Sequence, residues 1–278
     1  MAISSLSDLI NKATSGRVQD WSVYILPTDT GGGGIGFSTD MWASLWLWDK
    51  YSGFGDTPTS VAAPTKDSQG AMPYIDAAIG TNYLLNARFF GKGMAAHWML
   101  YDRLLHIGGL DGTLTSAQTI GGTLTRNTGG VGNFIAVECG AGDFGGTPTT
   151  ITASYTNQAG TSARTTKVTP IAGYSNDNHR IVFLPLQDGD TGVQAVASVT
   201  LAASTGATGV WGVIVGHMLA NQHHGDFTDA DEMNYNKELT KDINGLVALE
   251  DGTCLDVIFF SLNNIETGML VTYQIVDG

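Results

Sequence analysis

The sequence predicts an all-β protein: an antiparallel β-sandwich, of jelly-roll type, preceded by one short N-terminal helix. Three observations carry this. Ile151, Ala153 and Tyr155 alternate with Thr150, Thr152 and Ser154, and residues 194–201 alternate again. Alternation at period 2 marks a strand with one buried and one wet face. Turn-forming clusters at residues 157–162 and 187–192 bound these runs, because Gly, Asn and Asp accept backbone conformations that strands do not use. The strand–helix alternation of an α/β enzyme is missing.

Composition fits. The chain of 278 residues holds 37 glycines, and only 14% of it is charged, against a typical share of about 25%. Gly, Thr, Ser and Asn take the place of charge on the surface, as suits a turn-rich assembled protein. Net charge is −13 and the pI is near 4.6. A grip on nucleic acid needs clustered Lys and Arg, and the thirteen basic residues are scattered. Nucleic acid is therefore not an expected partner. From Asn221 onward, eleven carboxylates face only Lys237 and Lys241, which predicts a solvated, self-repelling surface there.

The helix is expected over residues 5–15. Ser5 and Asp8 form a capping box, Leu6, Leu9, Ile10 and Ala13 fall on one face, and Gly16 is a stop signal. A helix this short does not hold itself in water. Its apolar face must dock on its own domain or on a neighbouring subunit.

Residues 21–27 read as a strand. The glycine run at 31–36 lacks the following Lys-Ser/Thr and helix of a phosphate loop, so it reads as a loop. Residues 41–54 are dense in aromatics, with Trp42, Trp46, Trp48, Tyr51 and Phe54. Core packing, an intersubunit contact and a carbohydrate platform all use such residues, and all three stay open. Residues 82–90 and 93–105 read as strands paired through the turn at 91–93. Strands also fit 132–139, 179–186 and 209–219. Residues 229–242 suggest a short helix, and 254–262 with 269–276 a closing hairpin.

Chemistry is sparse. His223, His224 and Asp226 with Asp229, Asp231 and Glu232 form one local polar cluster, without zinc or EF-hand spacing. His106 follows Asp102 by four residues, but no nucleophile elbow accompanies the pair. Arg103 is expected to pair with Asp102 or with a neighbouring chain. Glu138, between Val137 and Cys139, is expected to face solvent. Cys139 and Cys254 read as two buried thiols, with a disulfide open. No catalytic residue, cofactor or metal ligand is expected, and the chain reads as no enzyme. No secretory leader is visible, and no apolar run is long enough for a membrane helix. Synthesis in a cytoplasm as a soluble protein follows as an expectation.

Several segments together resemble a family of tailed-bacteriophage and prophage virion proteins. They are residues 5–14 (SLSDLINKAT), 43–46 (ASLW), 100–110 (LYDRLLHIGGL), 154–160 (SYTNQAG), 184–193 (LPLQDGDTGV) and 198–204 (SVTLAAS). The resemblance covers the chain to about Leu219 and leaves residues 221–278 unmatched. It implies a virion structural protein with no catalytic residues to carry over, made in the bacterial host cytoplasm. The expected organisation is an attachment arm over 1–20, a sandwich over 21–220 and an acidic extension with a hairpin over 221–278. The expected role is a head-associated oligomer, as capsid decoration or minor capsid component, trimeric by best guess. Its partners are its own copies and the major capsid protein. A carbohydrate- or receptor-binding tail or fibre module is the alternative. The residues expected to make these contacts are Leu6, Leu9, Ile10, Trp42, Trp46, Trp48 and Arg103.

Overall fold

The computed structural model describes residues 3, 5–25, 37–40, 63–68, 71–77, 80–90, 96–139, 144–171, 181–208, 211–224, 238–239, 246–261 and 269–278. In chain order the elements are α1 (Leu6–Thr14), β1 (Val18–Ile25), β2 (Phe37–Asp40), β3 (Asn82–Phe90), β4 (Ala96–Leu110), β5 (Gln118–Thr119) and β6 (Asn133–Cys139). Then come β7 (Thr149–Asn157), β8 (Arg164–Thr165), β9 (Thr169–Ile171), β10 (Ile181–Phe183), β11 (Val193–Leu201) and β12 (Trp211–His224). The last are β13 (Glu238–Leu239), β14 (Val247–Leu249), β15 (Leu255–Ser261) and β16 (Met269–Asp277). Strand is the dominant state, and the arrangement is sandwich-like. The jelly-roll connectivity stays an expectation.

Among the described residues, three antiparallel sheets form. The central one runs β10-β6-β12-β4-β15-β2. A second runs β1-β16-β3-β13, with β14 also on β3. The third runs β5-β11-β7-β8, with β9 also on β7. The two longest strands, β4 of 15 residues and β12 of 14, lie side by side in the central sheet. Their length lets one sheet serve two cores. Toward one end, Leu105, Ile107, Trp211 and Val213 pack against Ile151, Tyr155 and Val196 of the third sheet. Toward the other, Leu100, Leu219, Leu255 and Val257 pack against Leu84, Phe89, Val271 and Tyr273 of the second. On the reverse of the central sheet, Met99, Tyr101, Ile214 and Ile258 form a further cluster with Phe134 and Phe183.

Local chemistry explains the elements. In β7, burial alternates without a break, with Ile151, Ala153 and Tyr155 inward. At the β4–β12 pair the register shifts three times. Gly109, at φ +71°, supplies a left-handed conformation near one shift. Gly212 lets β12 approach so closely that a Cβ there would collide with the Ile107 carbonyl oxygen.

The helix forms as expected. Ser5 Oγ accepts from Asp8 N–H at 3.1 Å, and Gly16, at φ +75°, follows the helix. Its orientation is the surprise. Leu6 and Ile10 are 53% and 52% exposed and Ala13 is exposed, whereas Lys12 is only 7% exposed. The stem of a lysine can be buried while its charge reaches out, and here Lys12 is the buried residue of the helix while Leu6 and Ile10 face outward.

Two expected pairings do not form. β3 and β4 are not a hairpin: β3 pairs with β16, β13 and β14, while β4 pairs with β12 and β15. β15 and β16 are not a hairpin either. They lie in different sheets and face each other across a core through Leu255, Val257, Val271 and Tyr273. Nor do these strands form an appendage. β16 is flanked by β1 and β3, and β15 by β4 and β2, because both carry apolar side chains that only an interior position buries. Glu238 and Leu239, expected in a helix, are strand. The glycine run at 31–36 and the aromatic segment at 41–54, with Trp42, Trp46 and Trp48, lie outside the described residues.

Candidate functional site

The densest concentration of chemistry lies on β4, where consecutive side chains point to opposite faces. Tyr101, Arg103 and His106 enter the reverse face of the central sheet, and Asp102 enters the face shared by the two cores.

On the reverse face, Arg103 is wholly buried. Its Nη2 donates to Glu138 Oε2 at 3.1 Å and its Nε to Asp256 Oδ2 at 3.1 Å. Tyr101 Oη donates to the same Asp256 oxygen at 2.6 Å, and the Val257 N–H donates to Asp256 Oδ1 at 2.7 Å. His106 Nδ1 lies 3.1 Å from Arg103 Nη1, and its Nε2 contacts Glu138 Oε1. A guanidinium only donates, so Nδ1 accepts and the ring proton sits on Nε2, toward Glu138. The result is an imidazole wedged between a cation and a carboxylate.

On the other face, Arg126 grips Asp102 with two prongs, Nε to Oδ2 at 3.0 Å and Nη2 to Oδ1 at 2.9 Å. The Cys254 N–H donates to Asp102 Oδ1 at 2.8 Å. Arg126 Nη2 also reaches the carbonyls of Pro64 at 2.7 Å and Arg103 at 3.0 Å. Burial pushes the Asp102 carboxyl above its ordinary value, with Arg126 and the Cys254 N–H pulling the other way. For Arg126, burial works to lower the pKa, but the hydrogen bond and charge of Asp102 outweigh it and leave it raised. Asp102 lies between Leu100 of one core and Leu104 of the other, so this pair occupies the seam between them.

A third network closes the edge of the third sheet. Asp190 accepts from Tyr155 Oη at 2.5 Å, Asn157 Nδ2 at 2.7 Å and Arg164 Nε at 2.8 Å. The Gln187 N–H donates to Tyr155 Oη at 2.9 Å. Asp190 is held down to about 2, first by Arg164 and then by Tyr155.

These networks correct several expectations. Arg103 is not a surface anchor: it is consumed inside its own chain by Glu138 and Asp256, and Asp102 goes to Arg126 instead. Glu138 does not face solvent, because it is the buried counter-charge of Arg103. Asp102 and His106 lie on opposite faces, and His106 is a hydrogen-bonded strand residue, as the absence of a nucleophile elbow led one to expect. Cys254 is a free buried thiol, one of the two expected, and burial pushes its pKa well above the ordinary value. The side chain of Cys139 is not described. Sequence reasoning missed Asp256 and Arg126. The available signal was a lone carboxylate inside an apolar run, Leu255-Asp256-Val257, matching the setting of Glu138.

Among the described residues, no group of three or more His, Cys, Asp and Glu is placed to hold a metal ion. His223 and His224 end β12 with side chains outside the description. Among the described residues, no helix is long and apolar enough to cross a membrane. In comparisons with known proteins, no family model, no curated protein and no solved structure matches the chain.

What the geometry does chemically is fix a scaffold. The charged motif residues of 100–106 are turned inward onto partners in the same chain, and Tyr155 and Asn157 of 154–160 close on Asp190 of 184–193. The accessible chemistry of the described surface lies elsewhere, on the outward stripe of α1 and on the face of the third sheet.

Proposed function

We propose that this chain is a structural protein of a tailed-bacteriophage particle, attached to the head as an oligomer and acting through protein–protein contacts without catalysis. The observation that carries this reading is α1, which is capped and ordered yet presents Leu6 and Ile10 to solvent at about half exposure each. A helix of nine residues draws its stability from packing its apolar face. This one turns that face away from its own domain, as an element seated on another virion protein would. Leu9, half-buried, borders the same stripe. The resemblance of residues 5–14 to the opening of phage structural proteins agrees with an attachment arm.

The test removes residues 1–16. The truncated protein folds as a sandwich and fails to enter particles, whereas an arm that serves only its own domain leaves incorporation at normal copy number. Locating the chain by cryo-electron microscopy of the particle decides between head and tail. A position at a fibre tip overturns the head assignment.

A further inference from the structure

The outer face of the third sheet is clad in hydroxyls. Directly opposed residues of antiparallel strands share a face, so the register sets Thr119, Ser198, Ser154 and Thr165 in one row across β5, β11, β7 and β8. Thr152 and Thr200 stand opposite each other in the next row. All six are partly or fully exposed. Their hydroxyl groups hydrogen-bond to no other described residue, and no charged side chain stands in these rows.

That is unusual for the wet face of a sandwich. Charged side chains normally occupy such faces and keep sheets from docking on one another. Here the chain carries −13 overall, so two copies repel wherever carboxylates meet, and this face is where they do not. Ser and Thr lose less rotamer freedom on burial than Lys, Glu or Gln. Each hydroxyl both donates and accepts, so a row of them complements its own two-fold image, which rows of carboxylates or ammonium groups cannot do. The rows hold no aromatic ring for a sugar to stack on and no cation for a phosphate. Leu114, 45% exposed, precedes β5, and Val168, 67% exposed, separates β8 from β9.

We propose that this face docks on the same face of a second copy, sheet against sheet about a two-fold axis. The inference deepens the structural-protein reading, which supplies the setting in which copies meet. A face that meets its own image generates pairs, so a three-fold assembly uses a different surface. The contact is weak for one pair and accumulates when copies are arrayed on a particle.

The experiment is sedimentation velocity of the full chain across a wide concentration range. It compares the natural protein with Ser154→Glu, at the centre of the row, and Thr200→Glu, in the next row. Ser162→Glu, on an exposed loop outside the face, is the control. Circular dichroism selects variants that keep the fold, and the two face variants back each other up. The natural protein and Ser162→Glu are expected to pair, and each face variant to raise the dissociation constant by at least about tenfold, or 1.4 kcal/mol. A natural protein that stays monomeric at every concentration overturns the proposal, and so do face variants that associate like the control. Neither result touches the attachment role of α1, which is read separately by incorporation into particles.

Discussion

Asp102 and Arg103 are neighbours in sequence and belong to two separate buried ion pairs on opposite faces of one sheet. Asp102 holds Arg126 at 2.9 Å, and Arg103 holds Glu138 and Asp256 at 3.1 Å. Opposite charges on consecutive strand residues thus point away from each other. Each is tied to a partner remote in sequence, and together they pin β4 to β6, β15 and the segment around Arg126. Such pairs contribute less net stability than their geometry suggests, because both charges lose water. Removing one partner is the severe event.

Arg103→Met should therefore destabilise the protein by about 3–5 kcal/mol, since Glu138 and Asp256 are left buried without their cation. Urea unfolding of the variant against the natural protein measures it. A loss below about 1 kcal/mol would show that the carboxylates find other partners.

Asp190 predicts a pH dependence. Its carboxyl is lowered from 3.8 to about 2 in the folded chain. A depressed carboxyl contributes stability that is fully present above the unfolded value and lost as pH falls through the folded one. Asp190→Asn should accordingly lower the unfolding midpoint at neutral pH, and the gap to the natural protein should close as pH drops through the window from 3.8 toward about 2. A gap of constant size across that window contradicts the assignment.

Replacing Leu6 and Ile10 together by Ser should leave stability within about 0.5 kcal/mol for each change, as at ordinary surface positions, while abolishing incorporation into particles. Melting curves and particle copy number are read side by side. A large fall in melting temperature would return the apolar stripe to its own domain.

Gly212→Ala should cost about 1–3 kcal/mol, the usual penalty of forcing extra atoms into a packed site, because the new methyl meets the Ile107 carbonyl. Gly129→Ala, where a Cβ meets open space, is the control. Equal midpoints for the two variants would refute the close approach of β4 and β12.

Binding of nucleic acid is not expected. A salt-sensitive gel shift at physiological ionic strength would contradict the reading of dispersed basic residues, because phosphate contacts release counterions.

Much of the fold was legible locally. The cap at Ser5, the alternation of β7 and the extents of β3 and β6 follow from short-range pattern, whereas β1 starts three residues earlier and ends two residues earlier than expected. Partnership was not legible, because a turn signal shows where a strand ends and says nothing about its neighbour. That is why β3 was matched to β4, and β15 to β16. The buried charges failed for a related reason. A single carboxylate in an apolar run looks the same whether it points out or in, and the cation that decides the matter for Glu138 lies 35 residues away. The motifs at 154–160 and 184–193 read in part as turn chemistry. Their joint presence makes sense once Tyr155 and Asn157 of one segment are seen to close on Asp190 of another.

The pairing of β1 with β16 has a consequence for how the protein is made. Val18 sits opposite Val276, so the sheet beside α1 closes only once residue 276 is available. Contacts this distant are slow to form, because the entropy of closing so large a loop is lost before the contacts compensate for it. A nascent or truncated chain leaves β1 without β16, and its N-terminal arm has no platform to stand on. Closure of this sheet is thereby a late event in folding, set by when residues 269–277 reach β1 and β3.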